Sequence, residues 1–65
     1  MQKWEYKEIV FVMRAGIVES FYEDMRELRP KEKNTAPTPI LDYYGSQGWE
    51  LVAREGNTYT FKHPL

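Results

Sequence analysis

The segment IVESFYEDMRELR, residues 17–29, decides the fold class of this chain. Its apolar residues stand at positions 17, 18, 21, 22, 25 and 28, a spacing typical of one face of an amphipathic helix. Its charged residues, Glu23 among them, would then face solvent. Acidic residues lead the segment and Arg29 closes it, which suits a helix dipole, and Pro30 would end it. We therefore predict a helix over residues 17–29.

The segment before it, KWEYKEIVFVM (residues 3–13), is rich in β-branched and aromatic residues and predicts a strand. Successive side chains of a strand point to opposite faces. One face would carry Trp4, Tyr6, Glu8, Val10 and Val12. The apolar half of the other face would carry Ile9, Phe11 and Met13. The second half of the strand is thus apolar on both faces, which is typical of a strand covered twice.

Residues 30–39, PKEKNTAPTP, predict a Pro-rich, mobile loop. Thr38 followed by Pro39 is the pattern of a helix N-cap with proline at the first helical position. The residues ILDYY (40–44) would form a short helix, and Gly45 would end it in the left-handed conformation.

The stretch GSQGWELVAREG (residues 45–56) contains glycines that could suggest a phosphate loop. Neither Gly45 nor Gly48 begins a predicted helix, so their N–H groups are not presented to a phosphate. We interpret them as the passage from a helix into the strand WELVARE, which pairs with TYTFKH in a hairpin.

The length of the hairpin loop sets its register. A two-residue loop at Gly56-Asn57 would place Leu51 beside Lys62. A three-residue loop places Leu51 opposite Phe61 and pairs Glu50 with Lys62, so that the apolar residues share one face. We predict the three-residue loop, with Asn57 in the left-handed conformation.

These elements predict an α+β fold in a single domain, residues 1–65. A three-stranded, mainly antiparallel sheet in the order β-α-α-β-β would carry its helices on one face. We expect Trp4, Tyr6, Val10, Trp49, Leu51, Tyr59 and Phe61 to face the helices. The other face would then expose an apolar patch of Ile9, Phe11, Met13 and Val52, which we predict to be an oligomer interface. The alternative that the loop 30–39 folds over this patch stays open.

Composition limits the function. A chain of 65 residues buries too little surface to be very stable alone, and without cysteine it has no disulfide, so self-association is the usual remedy. A net charge of -1 disfavours nucleic acid. The sequence has neither a signal peptide nor a membrane span, so we expect a soluble, intracellular protein. His63 is the one histidine, and we expect it to be solvated; we predict no enzyme activity, metal or cofactor.

Two stretches, KWEYKEIV (3–10) and ILDYYGSQGWELVAREGNTYTFKHP (40–64), resemble a family of small bacterial and phage proteins catalogued as domain of unknown function 4177. The matching residues are Trp4, Glu5, Tyr6, Lys7, Gly45, Gly48, Trp49, Glu50, Leu51, Val52, Phe61, Lys62 and Pro64. His63, where the family often has Arg, and the segment 17–39 depart from it. The resemblance implies a β-α-β-β fold and brings no known activity. It implies a cytoplasmic protein, of a bacterium or of the host cell if a phage encodes it.

We therefore predict a non-enzymatic interaction module that forms a homo-oligomer and binds a protein or a small ligand. The alternative, which the phage members of the family suggest, is an anti-defence protein that sequesters a nucleotide signal or inhibits a host immune protein. The candidate ligand residues are Arg14, Arg26, Arg29, Tyr22 and Tyr43, with Lys31 and Lys33 beside them. The same residues could instead form a solvated helix end and loop.

Overall fold

A five-stranded antiparallel sheet forms most of the molecule, and one short helix packs on one of its faces. The structure, a computed structural model, describes residues 2–32 and 35–65. The elements are β1 (Trp4–Arg14), β2 (Ile17–Glu23), β3 (Arg26–Leu28), α1 (Pro37–Ser46), β4 (Glu50–Glu55) and β5 (Thr58–Pro64). Their order across the sheet is β3-β2-β1-β5-β4, and every neighbouring pair is antiparallel. The predicted three-stranded sheet with helices on one face is therefore wrong.

The segment predicted as a helix, residues 17–29, forms β2, a tight turn and β3. The pairing of β1 with β2 shifts by one residue at Glu19, which is the extra residue of a β-bulge. The bulge brings Val18 and Phe21 to the same face although they are three residues apart. Phe21 also pairs with Leu28 across the β2–β3 hairpin. Separations of three and seven residues are those of one helix face, so a bulged hairpin reproduced the helical pattern.

Two-residue turns with positive φ at both positions join the first three strands. The turn between β1 and β2 has Ala15 at φ 52° and Gly16 at φ 79°. The turn between β2 and β3 has Asp24 at φ 48° and Met25 at φ 77°. This is the pattern of type I′ turns, whose twist matches that of the paired strands.

The turn between β4 and β5 also has two residues, because Glu55 pairs with Thr58. Gly56 has a φ of 59°, and Asn57 is not among the residues with positive φ. The predicted three-residue loop with a left-handed Asn57 is therefore wrong.

The pairs predicted farther from that turn are nevertheless present. Glu50 pairs with Lys62, and Leu51 pairs with Phe61. The register shifts at Val52, which is the extra residue of a second bulge. This bulge restores the register that the shorter turn would have lost.

Helix α1 begins earlier and ends later than predicted. Its N-cap is Ala36, which makes no side-chain capping bond, so Thr38 is not the cap. Gly45 lies inside the helix, and the residue with positive φ after it is Gly48, at 90°. Gly48 therefore turns the chain from α1 toward β4.

The hydrophobic core lies between α1 and the face of the sheet that we call the helix face. Its buried side chains are Ile9, Phe11, Val18, Phe21, Tyr44, Tyr59 and Phe61. The ring of Phe11 meets that of Tyr59 edge-on with centroids 5.3 Å apart, and Tyr44 of α1 lies 5.7 Å from Phe61. Aromatic contacts of this kind join helix and sheet into one core.

Candidate functional site

A cleft on the helix face, which we call the helix cleft, opens between β3, the segment that follows it and α1. Its volume is about 580 Å³, within the range of roughly 300–1,000 Å³ that is usual for small-molecule sites. Phe21, Leu28 and Ile40 give it an apolar lining, and Tyr43 and Tyr44 add aromatic rings. The two tyrosine rings meet edge-on with centroids 5.5 Å apart. The cleft is thus suited to a flat hydrophobic group.

Three cationic residues line the same cleft: Arg26, Arg29 and Lys31. Arg26 Nη2 lies 3.3 Å from Glu23 Oε2. Among the described residues, Arg29 and Lys31 form no ion pair. The lining carboxylates are those of Glu23 and Glu32, so cations outnumber them in the cleft although the whole chain carries a net charge of -1.

The carboxylate of Glu23 is the centre of a polar network in this cleft. Its Oε1 accepts hydrogen bonds from Lys7 Nζ at 3.2 Å and from the Tyr44 hydroxyl at 2.9 Å, while its Oε2 accepts from Arg26. Burial raises the pKa of Glu23, but the bonds from Tyr44 and Lys7 outweigh burial and hold the pKa below the ordinary value of 4.5. Glu23 is therefore ionised at neutral pH, and both of its oxygens are occupied.

The hydroxyl of Tyr44 stays protonated for a related reason. Burial and the hydrogen bond to Glu23 both raise the pKa of Tyr44 well above its ordinary value of 10.0. The hydroxyl is thus a permanent donor within the physiological range.

Lys7 connects the network to Trp49. Its Nζ lies 4.6 Å from the ring centroid of Trp49 and 5.5 Å from that of Tyr44, and its side chain is only 19% exposed. An ammonium over an aromatic ring at this distance is attracted by the ring's electrons. Two residues of the family resemblance, Lys7 and Trp49, therefore contact each other beside the core.

The sequence predicted a solvated His63, but this side chain is partly buried. Its ring lies 4.9 Å from that of Trp49 by centroid. Its Nδ1 is 3.2 Å from Glu5 Oε1, but the atoms are not aligned for a hydrogen bond. His63 thus packs as part of the support for Trp49.

Some of the predicted ligand residues come together. Arg26, Arg29 and Tyr43 line the helix cleft, together with Lys31. They come from β3, the segment after it and α1, so the β2–β3 hairpin and the helix assemble them. Lys33 lies outside the described residues.

Two other predicted ligand residues lie elsewhere. Tyr22 points to the opposite face of the sheet, where its hydroxyl donates to Glu27 over 3.2 Å, and this bond raises the pKa of Tyr22. Arg14 ends β1 beside the first turn and is not part of the cleft lining. Sequence reasoning missed Glu23 and Tyr44, because a helix over residues 17–29 would have pointed Glu23 into solvent.

The face of the sheet opposite α1, which we call the open face, carries large exposed apolar side chains. The strand registers place on it, among others, Trp4, Tyr6, Glu8, Val10 and Val12 of β1, Tyr22 of β2, Glu27 of β3, Glu50 and Glu55 of β4, and Thr58, Thr60 and Lys62 of β5. Trp4 is 39% exposed, Tyr6 63% and Val12 40%. In the part of the chain that the structure describes, no helix packs on this face.

Three of the four predicted interface residues are not on the open face. Ile9 and Phe11 are buried in the core, with 0% and 3% exposure, and Met13 packs against it. Val52 is exposed, but it lies at the bulge of the edge strand β4. The prediction that Ile9, Phe11 and Met13 form an exposed patch is therefore wrong, and β1 exposes its opposite side.

Met25 extends the apolar surface at one corner of the open face. It is 93% exposed, and with Glu8, Val10 and Tyr22 it lines a shallow pocket of about 300 Å³. Residues other than glycine, asparagine and aspartate are uncommon at positive φ, and Met25 is one of these uncommon cases. The β2–β3 turn thus presents an apolar side chain to solvent.

Within residues 2–32 and 35–65, no group of three or more His, Cys, Asp or Glu residues could hold a metal ion. In the same described ranges, the structure contains no helix with the length and hydrophobicity that crossing a membrane requires.

No family model, no curated protein and no solved structure matches this chain. The resemblance to domain of unknown function 4177 therefore stays an expectation, and function is inferred from the helix cleft and the open face.

Proposed function

We propose that this protein is a small non-enzymatic interaction module that acts as a homo-oligomer, with the open face as the contact between copies. The observation that carries the proposal is the exposure of Trp4, Tyr6 and Val12 on a sheet face that no helix of the described residues covers. Exposed apolar side chains on a continuous face with a polar rim are typical of association surfaces.

The size of the chain supports self-association. A domain of 65 residues buries only roughly 60% of the surface of its unfolded chain. Within residues 2–32 and 35–65 the core is a single layer between the sheet and α1. Covering the open face with a second copy would add a second apolar layer.

The charges of the open face favour a second copy of this chain as the occupant. Glu8 pairs with Thr60 and Lys62 pairs with Tyr6, so an acid and a base stand in diagonal positions on the same face, where Lys62 Nζ also lies 3.8 Å from Glu50 Oε2. A two-fold axis between them would bring Glu8 of each copy opposite Lys62 of the other. An interface of this type is self-complementary, as a symmetric dimer requires.

The extent of the open face suits a concentration-dependent dimer. Five strands about 4.8 Å apart and about seven residues long, at about 3.3 Å per residue, give a flat area on the order of 500 Å². Specific interfaces bury about 800 Å² per partner, and transient ones bury less. We therefore expect a dimer that dissociates on dilution.

Sedimentation velocity over a range of concentrations tests the proposal, with Tyr6→Asp as the disrupting variant. Tyr43→Asp is the matched control, since Tyr6 and Tyr43 are 63% and 60% exposed on opposite faces. We expect the wild type and Tyr43→Asp to dimerise and Tyr6→Asp to stay monomeric. A wild type that is monomeric at every concentration, or equal loss of the dimer in both variants, would refute the proposal.

A charge exchange tests the orientation of the two copies. We expect Glu8→Lys alone to weaken the dimer, because Lys62 of the other copy then faces a like charge. The double variant Glu8→Lys with Lys62→Glu should restore it. A double variant that dimerises more weakly than Glu8→Lys alone would contradict the two-fold arrangement.

A second candidate function is the sequestration of a small ligand, which the family resemblance suggests for a nucleotide signal. One observation favours it: Arg26, Arg29 and Tyr43 line a single cleft with Lys31. Native mass spectrometry of protein purified from cells tests it. A bound mass of a few hundred daltons per chain, lost on denaturation and lost in Tyr43→Ala, supports sequestration, and a clean mass counts against it.

A further inference from the structure

We infer that the helix cleft binds a small organic anion that combines one flat hydrophobic ring system with a single negative charge, such as an aromatic carboxylate. The inference deepens the second candidate function. It does not depend on self-association, because the cleft and the open face lie on opposite sides of the sheet.

The preference for a flat ring follows from the apolar part of the cleft. Ile40 and Tyr43 are three residues apart on α1 and therefore share one side of the helix. Phe21 and Leu28 pair directly across the β2–β3 hairpin and line the same cleft. A ring that enters between these two surfaces would contact aliphatic and aromatic carbon on both sides.

The preference for an anion follows from the cations that the fold leaves free there. Arg29 and Lys31 come directly after β3 and form no ion pair within the described residues. A guanidinium and an ammonium in the same cleft are donors that match a carboxylate. A neutral ring would leave both of them without a partner.

The preference for one charge follows from the acidic residues of the cleft. Glu23 is occupied by Lys7, Tyr44 and Arg26, so its charge is balanced inside the protein. Glu32 also lines the cleft and offsets part of the remaining positive charge. A ligand with several charged phosphates would exceed what Arg29 and Lys31 can balance, whereas a single carboxylate would not.

The test uses three probes and the full chain. The first is 2-naphthoate, a flat bicyclic ring with one carboxylate; the second is 2-naphthamide, its neutral counterpart of similar shape; the third is adenosine monophosphate. Each is titrated into nitrogen-15-labelled protein, and the amide chemical shifts are followed to saturation. We expect 2-naphthoate to bind most tightly and to shift the amides of Leu28, Ile40 and Tyr43.

Charge variants separate the cleft from general electrostatics. The double variant Arg29→Gln with Lys31→Gln removes two cations from the cleft and should weaken 2-naphthoate by about tenfold. Its affinity for 2-naphthamide should stay the same. The control Lys3→Gln with Arg14→Gln removes the same charge at exposed sites away from the cleft and should leave both affinities unchanged.

A variant of the ring site gives an independent readout. Tyr43 is 60% exposed, so Tyr43→Ala leaves the core intact. This variant should lower the affinity for 2-naphthoate and for 2-naphthamide by similar factors, because it removes a ring contact and leaves the charges of the cleft unchanged.

Three results would overturn the inference. One is equal affinity for 2-naphthoate and 2-naphthamide, which would remove the charge requirement. Another is shifts confined to the open face, around Tyr6 and Val12, which would place the ring on the wrong side of the sheet. The third is tighter binding of adenosine monophosphate than of 2-naphthoate, which would refute the preference for a single charge while supporting nucleotide sequestration.

Discussion

The hydroxyl of Tyr44 donates a hydrogen bond of 2.9 Å to the carboxylate of Glu23, and this bond connects α1 to strand β2. Tyr44 is also the residue of α1 that is buried in the core, at 4% exposure. One side chain therefore makes both apolar and polar contacts between the helix and the sheet, and Ile40 and Leu41 of α1 add apolar contacts with the core.

Removing this hydroxyl should destabilise the protein. We expect Tyr44→Phe to lower the free energy of unfolding by about 1–2 kcal/mol, because a hydrogen bond to a charged, largely buried acceptor is lost. Urea unfolding measures the change. Tyr43→Phe is the control, since Tyr43 is exposed and its hydroxyl has no partner among the described residues; it should change stability by less than about 0.5 kcal/mol. Equal effects of the two variants would contradict the role given to the bond.

Stability should also depend on pH through Glu23. Its pKa in the folded protein lies below the unfolded value of 4.5. The contribution is therefore complete above pH 4.5 and is lost as the pH falls through the folded pKa, because the unfolded chain binds the proton first. We expect the stability difference between the wild type and Glu23→Gln to be large near about pH 7 and to shrink toward about pH 3. Urea unfolding at both pH values measures it, and a constant difference would contradict the assignment.

Gly45 and Gly48 are three residues apart, and replacing each by alanine should change the stability of the protein in opposite directions. Gly48 has a φ of 90°, and an added Cβ would lie 3.3 Å from His63 Cδ2. Gly48→Ala should therefore cost about 1–2 kcal/mol, and it should disturb the contact of His63 with Trp49. Gly45 lies inside α1 with open space around it, so Gly45→Ala should stabilise the protein by about 0.5–1 kcal/mol. Thermal unfolding of the two variants measures the signs, and a shift in the same direction would refute this account of the helix end.

The half of the β4–β5 pairing that lies far from the turn was predictable from the sequence, whereas the pairs next to the turn were predicted wrongly. The pairs of Glu50 with Lys62 and of Leu51 with Phe61 follow from charge and hydrophobicity, and both are present. The bulge at Val52 was not predictable, since a shorter turn and an extra residue cancel in those pairs.

Glu8 could have shown from the sequence which of the two faces of β1 is exposed. On the open face it lies between Tyr6 and Val10, and a carboxylate there would be costly to bury without a partner. The large side chains of Trp4 and Tyr6 led to the wrong prediction that their face of β1 packs against the helices. Lys62 lies 4.2 Å from the ring centroid of Trp4 and gives this tryptophan a polar neighbour outside the core.

The β2–β3 hairpin could not be predicted from local signals. Type I′ turns favour glycine or asparagine, and the sequence offers Asp24 followed by Met25. The bulge at Glu19 removed the alternation of a regular strand. Although the hairpin was missed, Arg26, Arg29 and Tyr43 were predicted together, whereas the contribution of Tyr44 and Glu23 to the cleft was not.

The bulge at Val52 also affects how far the sheet can grow. Strand β4 is an outer edge of the sheet and has no neighbour on one side among the described strands. Because Val52 is an extra residue, Glu50 and Glu55 point to the same side, beside Lys62 and Thr58. If the β4 strands of two chains paired in antiparallel orientation, Glu50 of one chain would lie opposite Glu55 of the other, and these like charges would repel. The irregular, charged edge therefore disfavours extension of the sheet by a second β4 strand.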